Sequence, residues 1–316
     1  MFENLIFSLN ATMPIFFMMV IGYLLKKIQF LDEKTTTKLN QLVFKLFLPA
    51  LLFMDLATED FTTIWDGKLV LFCFLVTVTS ILIAALLSLF HKDGAERGEI
   101  IQAAYRSGAA TLGIVFMTNI YDNASMVALM IVGSVPLYNV AAVIVLYLTS
   151  PQNAHHSKAE LWKKTAKNVV TNPIILGIVI GMLWSVLKMP EPPMLMKTVS
   201  YLGNMASPLA LIALGASFEI CDAKEKWKET TEVTFIKLIL WCVIFLPIAI
   251  HMGFRDEKIV AILVMLGSAT TSSSFIMAKN MGHRGAISSC AVMVTTLLSS
   301  FTLTFWLFVL RMGGYI

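Results

Sequence analysis

The sequence predicts an all-α membrane protein: ten transmembrane helices in two inverted five-helix repeats, with broken helices in spans 4 and 9. Three observations predict it. The chain is too apolar for water, its Lys and Arg residues alternate from side to side along the spans, and one sequence shift matches its two halves. Hydrophobic residues fill 57% of the 316 positions and charged residues only 14%, against roughly 25% charged in a typical soluble domain.

Apolar runs place spans at residues 4–25, 38–57, 68–90, 99–120, 125–148, 172–189, 196–219, 231–253, 257–279 and 286–310. Each is long enough to cross the hydrocarbon core at 1.5 Å per residue. Ten such spans use the whole length and leave no room for a soluble catalytic domain. The first span follows no basic segment, and Lys26 and Lys27 come after its apolar run, so it is expected to be retained with its N-terminus outside.

With that orientation fifteen Lys and Arg fall in inner loops and six in outer segments, while Lys45, Arg106 and Lys237 lie inside spans. The bias agrees with the positive-inside rule, and moving the frame by one span would reverse it downstream. The number of spans is therefore even and both termini are expected outside. The net charge of +4 thus acts through its placement and gives no case for nucleic-acid binding. Cys73, Cys221, Cys242 and Cys290 have no metal-ligand or redox spacing and read as small hydrophobes.

A shift of 159 residues brings Thr12, Pro14, Ile15, Val20, Ile21, Gly22 and Leu24 onto Thr171, Pro173, Ile174, Val179, Ile180, Gly181 and Leu183. The same shift places Pro49 on Pro208, and Gly108, Ala110, Thr111 and Phe116 on Gly267, Ala269, Thr270 and Phe275. Such self-similarity marks a duplication, and an odd number of spans in each half inverts the second relative to the first. The chain divides into a first repeat at 1–149, a cytoplasmic linker at 150–170 and a second repeat at 171–316. The linker carries Lys163, Lys164 and Lys167 beside Leu161 and Trp162. It reads as a solvated basic segment, with a short surface helix as the alternative.

Inverted repeats are a building plan of secondary transporters, in which similar halves exchange outward-open and inward-open states around a central site. Spans four and nine contain Gly, Ser and Thr where lipid-facing helices carry Leu or Ile. Helix breaks at membrane depth are tolerated where the freed backbone faces protein or a water-filled cavity. The expected substrate-binding residues are Arg106, Ser107, Gly108, Thr111, Gly113, Gly267, Ser268, Thr270, Thr271, Ser272 and Ser273. Unwinding at 108–113 and 267–273 would expose helix N-termini, which attract anions. Close packing of small residues is the plainer alternative.

Arg106 suits a carboxylate through its planar fork; the alternatives are snorkelling and capping of inner carbonyls. Lys45 and Lys237 read chiefly as snorkelling side chains. Asn139 and Asn204 read as bridges between helices, with substrate contact as the alternative. Asp55, Glu219 and Glu232 stand at span ends, leaving little for a cation pathway. The serine run 272–274 has no His, Asp or Lys at catalytic spacing within its span, so an enzyme is not expected.

The segments LNQLVFKLFLPALLF (39–53), YRS (105–107), TNPIILGIVIGML (171–183) and SPLALIALGAS (207–217), with ASMVALMIV and TTLLSSFTLTF, resemble the auxin efflux carrier family. Its members include plant PIN-type carriers and bacterial permeases associated with malonate or malate. The resemblance covers nearly the whole chain. It implies two inverted five-helix repeats, a fold similar to bile-acid-type sodium symporters, with crossing broken helices in spans four and nine. Gly108, Ala109, Ala110 and Thr111 stand where family members often carry asparagine and proline.

The expected function is secondary transport of a small organic anion, a mono- or dicarboxylate, by alternating access around the crossing of spans four and nine. A receptor or scaffold that binds ligand without moving it is the alternative. No cofactor is expected, and coupling to sodium or protons is open. The expected partners are the lipid bilayer and the organic anion substrate, without nucleic acid; a homodimer is open. The expected location is the plasma or inner membrane.

Overall fold

The computed structural model of the chain describes residues 2–58, 66–109, 117, 120, 121, 125–153, 167, 170–218 and 224–316, and their regular elements are helices. In chain order they are α1 (Phe2–Lys27), α2 (Glu33–Leu42), α3 (Leu48–Ala57), α4 (Gly67–Ser88), α5 (Gly94–Tyr105) and α6 (Ser125–Thr149). There follow α7 (Pro173–Val186), α8 (Pro193–Ser217), α9 (Trp227–Phe235), α10 (Trp241–His251), α11 (Asp256–Gly267), α12 (Ser272–Asn280) and α13 (Ala286–Met312). Two π-helical turns, Val43–Phe47 and Ile236–Leu240, join α2 to α3 and α9 to α10 without ending either rod.

Polar caps start several of these helices. Asp32, Asp93 and Asn172 accept from the backbone N–H of Thr35, Ala95 and Ile174, at 2.7, 2.8 and 3.0 Å. Asp66 accepts from the N–H of Lys68 and Leu69. Each cap satisfies a donor that the first turn leaves without a partner. Pro173 takes the first position of α7, where its missing N–H costs nothing.

Six helical stretches are long and apolar enough to cross a bilayer: Glu33–Ala57, Gly67–Ser88, Leu129–Thr149, Pro193–Ser217, Trp227–His251 and Ala286–Met312. The pair α11 and α12, bent by 41° at its break, makes a seventh if counted as one span. The chain is thus a multi-pass, all-helical membrane protein.

The helices sort into two groups by what they pack against. In the first, α1 lies on α8 and α3 on α7, with α8 also touching α3. Glycines bring these backbones together. A Cβ added at Gly22 would collide with the carbonyl of Ile212, and one at Gly181 would fall 2.8 Å from the carbonyl of Phe53. Gly22 and Gly181 are one of the pairs brought together by the 159-residue shift, and so are Phe53 and Ile212. In the second group α4 packs on α5 and α6, α9 and α12 pack on α13 and α5, α11 packs on α13, and α10 packs on α11. The bond between groups runs mainly through α1 against α13.

The broken segments match less simply. The helices α5 and α11 each have twelve residues and end at Tyr105 and Gly267. Their ends are therefore 162 positions apart, three more than the 159 of the earlier matches, and the excess lies in the rod Trp227–His251, which has 25 residues where its counterpart α4 has 22.

Candidate functional site

Both breaks begin with a residue turned out of helical geometry: Arg106 ends α5 with ψ 133° and Ser268 ends α11 with ψ 159°. The first break comes two residues before the expected Gly108. The second falls at 268–271, inside the expected segment. The two breaks satisfy each other. Gly108 donates its N–H to the carbonyl of Ala269 at 2.9 Å, and the hydroxyls of Ser107 and Ser268 hydrogen-bond. Thr270 donates its hydroxyl to the carbonyl of Ala103 at 2.8 Å, while its N–H meets Thr295 Oγ1 at 3.0 Å. Freed backbone groups at membrane depth thus find protein partners, as the absence of water there requires.

Beside this junction lies a cavity of about 350 Å³ lined by Arg106, Ser107, Gly108, Thr271, Ser272 and Ser273 from the breaks. Val135, Tyr138 and Asn139 of α6 add to it, and the first helix group contributes Leu48, Leu51, Leu52, Asp55, Ile174 and Ser207. The cavity therefore sits between the two groups of helices. Arg106 is 2% exposed. Its Nη2 donates to Asn139 Oδ1 at 2.9 Å and Ser273 Oγ at 2.8 Å, and its Nη1 lies against Met277 Sδ at 2.7 Å. Its Nε–H has no partner among the described residues. A buried guanidinium with a donor in reserve is costly unless something negative completes it.

The second positive feature is the start of α12. Its cap residue Thr271 makes no side-chain bond to a first-turn N–H; its hydroxyl meets Ser273 Oγ at 3.2 Å and its carbonyl takes the Ser274 N–H at 3.0 Å, which leaves the N–H groups of Ser272 and Ser273 uncapped at the cavity wall. They carry the positive end of the helix dipole. At the other end of α12, about 13 Å away for nine residues, a polar cavity of about 520 Å³ is lined by Lys26, Glu33, Thr36, Thr37, Asn40, Gln41, Lys279 and Asn280.

Not every expected residue meets in the cavity. Gly267, Ser268 and Thr270 are consumed by packing and by the junction between breaks: a Cβ at Gly267 would lie 3.0 Å from Cys242 Sγ. Thr111 and Gly113 lie outside the described residues. Asn139 holds Arg106 and lines the cavity, as well as bridging to the carbonyl of Val135. Asn204 is exposed, and its side-chain amide donates to Ser200 Oγ at 3.4 Å. Lys45 is exposed on its span, as a snorkelling residue would be. Lys237 does not snorkel: it is fully buried, with Nζ 2.6 Å from the carbonyl of Leu266, because the π-helical turn carrying it faces the broken span. Cys73 and Cys242 are buried free thiols and Cys290 is buried; Cys221 lies outside the described residues.

Three polar contributors carried no clear signal in the sequence. Asp55 was assigned only to a span end, yet it lines the cavity. Tyr138 lines it too and accepts, through its carbonyl, from the Tyr105 hydroxyl at 3.1 Å. Glu99 is buried, its two oxygens accepting from the N–H of Gly285 and Ser288 at 2.7 and 3.0 Å, and so caps the start of α13.

Charged groups outside the spans form local pairs. Lys226 meets Glu96 at 2.7 Å and Glu225 at 3.1 Å; the Glu96 hydrogen bond leads in holding its ammonium above the ordinary lysine range. Lys258 meets Asp66 at 2.6 Å and lowers its carboxyl.

Residues 7–307 match the model of a family described as membrane transport protein. The chain is similar to a protein of Rhizobium meliloti (strain 1021) named as a proposed malonate transporter, with 24% identity over 96% of each chain. It is also similar to an uncharacterized transporter of Methanothermobacter thermautotrophicus, with 22% identity over 96% of this chain and 98% of that one.

Proposed function

This chain belongs to the membrane transport protein family, the same auxin efflux carrier-like family that its motifs resemble, and we propose that it is a secondary transporter of a small organic anion, a mono- or dicarboxylate. It is a transporter and not an enzyme. The observation that carries the anion reading is Arg106, a buried guanidinium with an unpartnered Nε–H beside the uncapped start of α12. A carboxylate in the cavity would meet the Arg106 fork, the Ser272 and Ser273 hydroxyls and the N–H groups of that first turn. Thr111 and Gly113 join the proposed site from the sequence.

The substrate path we infer passes from this cavity to the polar cavity at the far end of α12. Alternating access then consists of one helix group moving against the other, with the site on their boundary. Ten spans in two inverted halves, both termini outside, and a plasma or inner membrane location belong to the same reading. The related contacts Gly22 to Ile212 and Gly181 to Phe53 support it, because an inverted duplication repeats each contact between halves with the partners exchanged. A homodimer is compatible with it, and no cofactor is needed.

Uptake of labelled malonate and related carboxylates into proteoliposomes tests the proposal. Wild-type protein is expected to accumulate at least one of them. Arg106→Ala should lower uptake roughly ten- to hundredfold, the scale of a lost charge-assisted hydrogen bond. Unchanged uptake in the variant removes Arg106 from the site, a preference for organic cations sinks the anion reading, and binding without flux makes the protein a receptor.

A further inference from the structure

A broken span has two unsatisfied ends. The uncapped start of α12 offers N–H groups, and the ends of α5 and α11 offer carbonyl oxygens. The last carbonyls of a helix lack intrahelical donors and carry the negative end of its dipole. At membrane depth water does not cover them, and the C-terminal ends of half-helices are where carriers commonly coordinate a cation.

Here one helix face serves both ends, in two different ways. At the end of α5 the carbonyl of Ala104 accepts from the indole N–H of Trp241 at 2.7 Å, and that of Ala103 from the Thr270 hydroxyl. Both donors are neutral. At the end of α11 the donor is the ammonium of Lys237, 2.6 Å from the Leu266 carbonyl and 3.4 Å from that of Met265. Lys237 and Trp241 are four residues apart, one turn, so they project from the same side of the rod. Lys237 is fully buried, and among the described residues no carboxylate forms an ion pair with it. A buried charge of this kind costs several kcal/mol unless a specific partner compensates it. Its compensation is the carbonyl end of α11.

We propose that Lys237 is a tethered cation, a positioning residue that holds the end of α11 in place of a bound metal cation and lets the crossing keep its shape without sodium. This deepens the transporter reading and rests on it for the flux, though not for the binding chemistry. The ammonium fills the position a hydrated cation would have to strip itself to reach.

Thermal unfolding of the purified protein in sodium, potassium and choline chloride at equal ionic strength tests this without any substrate. Wild-type protein is expected to unfold at the same midpoint in all three, and sodium-specific stabilisation overturns the proposal. Lys237→Ala should unfold earlier and be restored by sodium or ethylammonium chloride but not by choline, which is too large for the space. Restoration by neither cation means that the lysine served packing only, and overturns it. If the alanine variant yields no folded protein, Lys237→Arg decides: it keeps the charge and should match wild type in its indifference to sodium.

In proteoliposomes, malonate counterflow by wild type should be equal in sodium and choline, and Lys237→Met should lower it roughly ten- to hundredfold. A sodium-driven wild-type flux, or a fully active methionine variant, overturns the proposal. Should malonate not be carried at all, the flux test fails through the transporter reading, while the unfolding midpoints still judge the lysine.

Discussion

The two helix groups are built by different physics. In the group of α1, α3, α7 and α8 the contacts are backbone against backbone, made possible by Gly22, Gly177, Gly181, Gly203 and Gly215. The group around α5, α11 and α13 buries hydroxyls and charges instead: Glu99, Gln102, Arg106, Ser107, Lys237, Ser268, Thr270, Thr295 and Ser299 are all buried there. Lipid tails are as apolar as leucine, so helices in a bilayer gain nothing from hiding hydrophobic surface and must associate through close packing or polar bonds. The first group relies on close packing; the second relies on polar bonds, with one close backbone approach at Gly133 of α6 against Val70 of α4. The first is held by shape; the second is held by directional bonds, which also offer groups to a ligand.

Adding side chains at the glycine contacts should break the comparison most severely. Gly22→Leu and Gly181→Leu each force a side chain into the backbone of a neighbouring helix, which cannot yield as a flexible side chain would. Neither variant is expected to give a single sharp peak in fluorescence-detected gel filtration. Gly94→Ala is the control: nothing lies within 4 Å of its added Cβ, and the first turn of α5 should gain up to about 1 kcal/mol in helix propensity. If the leucine variants elute like wild type, the first group is not held by close approach.

Within the polar group a milder effect is expected from Glu99→Gln. The amide keeps one acceptor oxygen but loses the other, so one of the N–H groups of Gly285 and Ser288 is left without its partner. The expected loss is about 1.5–3 kcal/mol, the scale of a bond to a charged group. Thermal unfolding in detergent measures it. A variant as stable as wild type would mean that the start of α13 is held by packing, as the first group is.

The same division decides what could be read from the amino-acid order. Gly22 with Gly181 was visible because a close contact demands a particular small residue at a particular place, and Pro173 because the first turn of a helix tolerates its missing N–H. The Ser and Thr at 268–273 were visible because such residues are out of place in a lipid-facing helix. The burial of Lys237 and the place of Asp55 on the cavity were not legible for one reason: the direction of a long or end-of-span side chain depends on the neighbouring helix and, for Lys237, on a π-helical turn without a local signature. Gly267, Ser268 and Thr270 show the converse. Their composition marks a break, but which side of the break meets the cavity is set by how two distant segments cross. The three-residue drift between Tyr105 and Gly267 likewise arises where no 159-residue match was found, in the rod Trp227–His251, which has 25 residues against the 22 of α4.

The smallest expected effect sharpens the contrast between buried and surface charge. Asp66 accepts from the first turn of α4 and pairs with Lys258, whose side chain is 44% exposed. The lysine hydrogen bond leads in drawing the Asp66 carboxyl below its ordinary value of 3.8. A group lowered on folding contributes stability that is present above its unfolded value and lost as the pH falls through its folded one. Asp66→Asn should therefore cost at most about 1 kcal/mol at pH 7, because exposure and salt weaken such pairs. The difference should shrink as the pH drops below 3.8, since asparagine caps a helix about as well as aspartate and only the charge is lost. Unfolding midpoints of both proteins measured from neutral pH downward check this. A difference independent of pH would assign the effect to the cap, and would leave surface charge with no share in stability beside the buried network of α5 and α11.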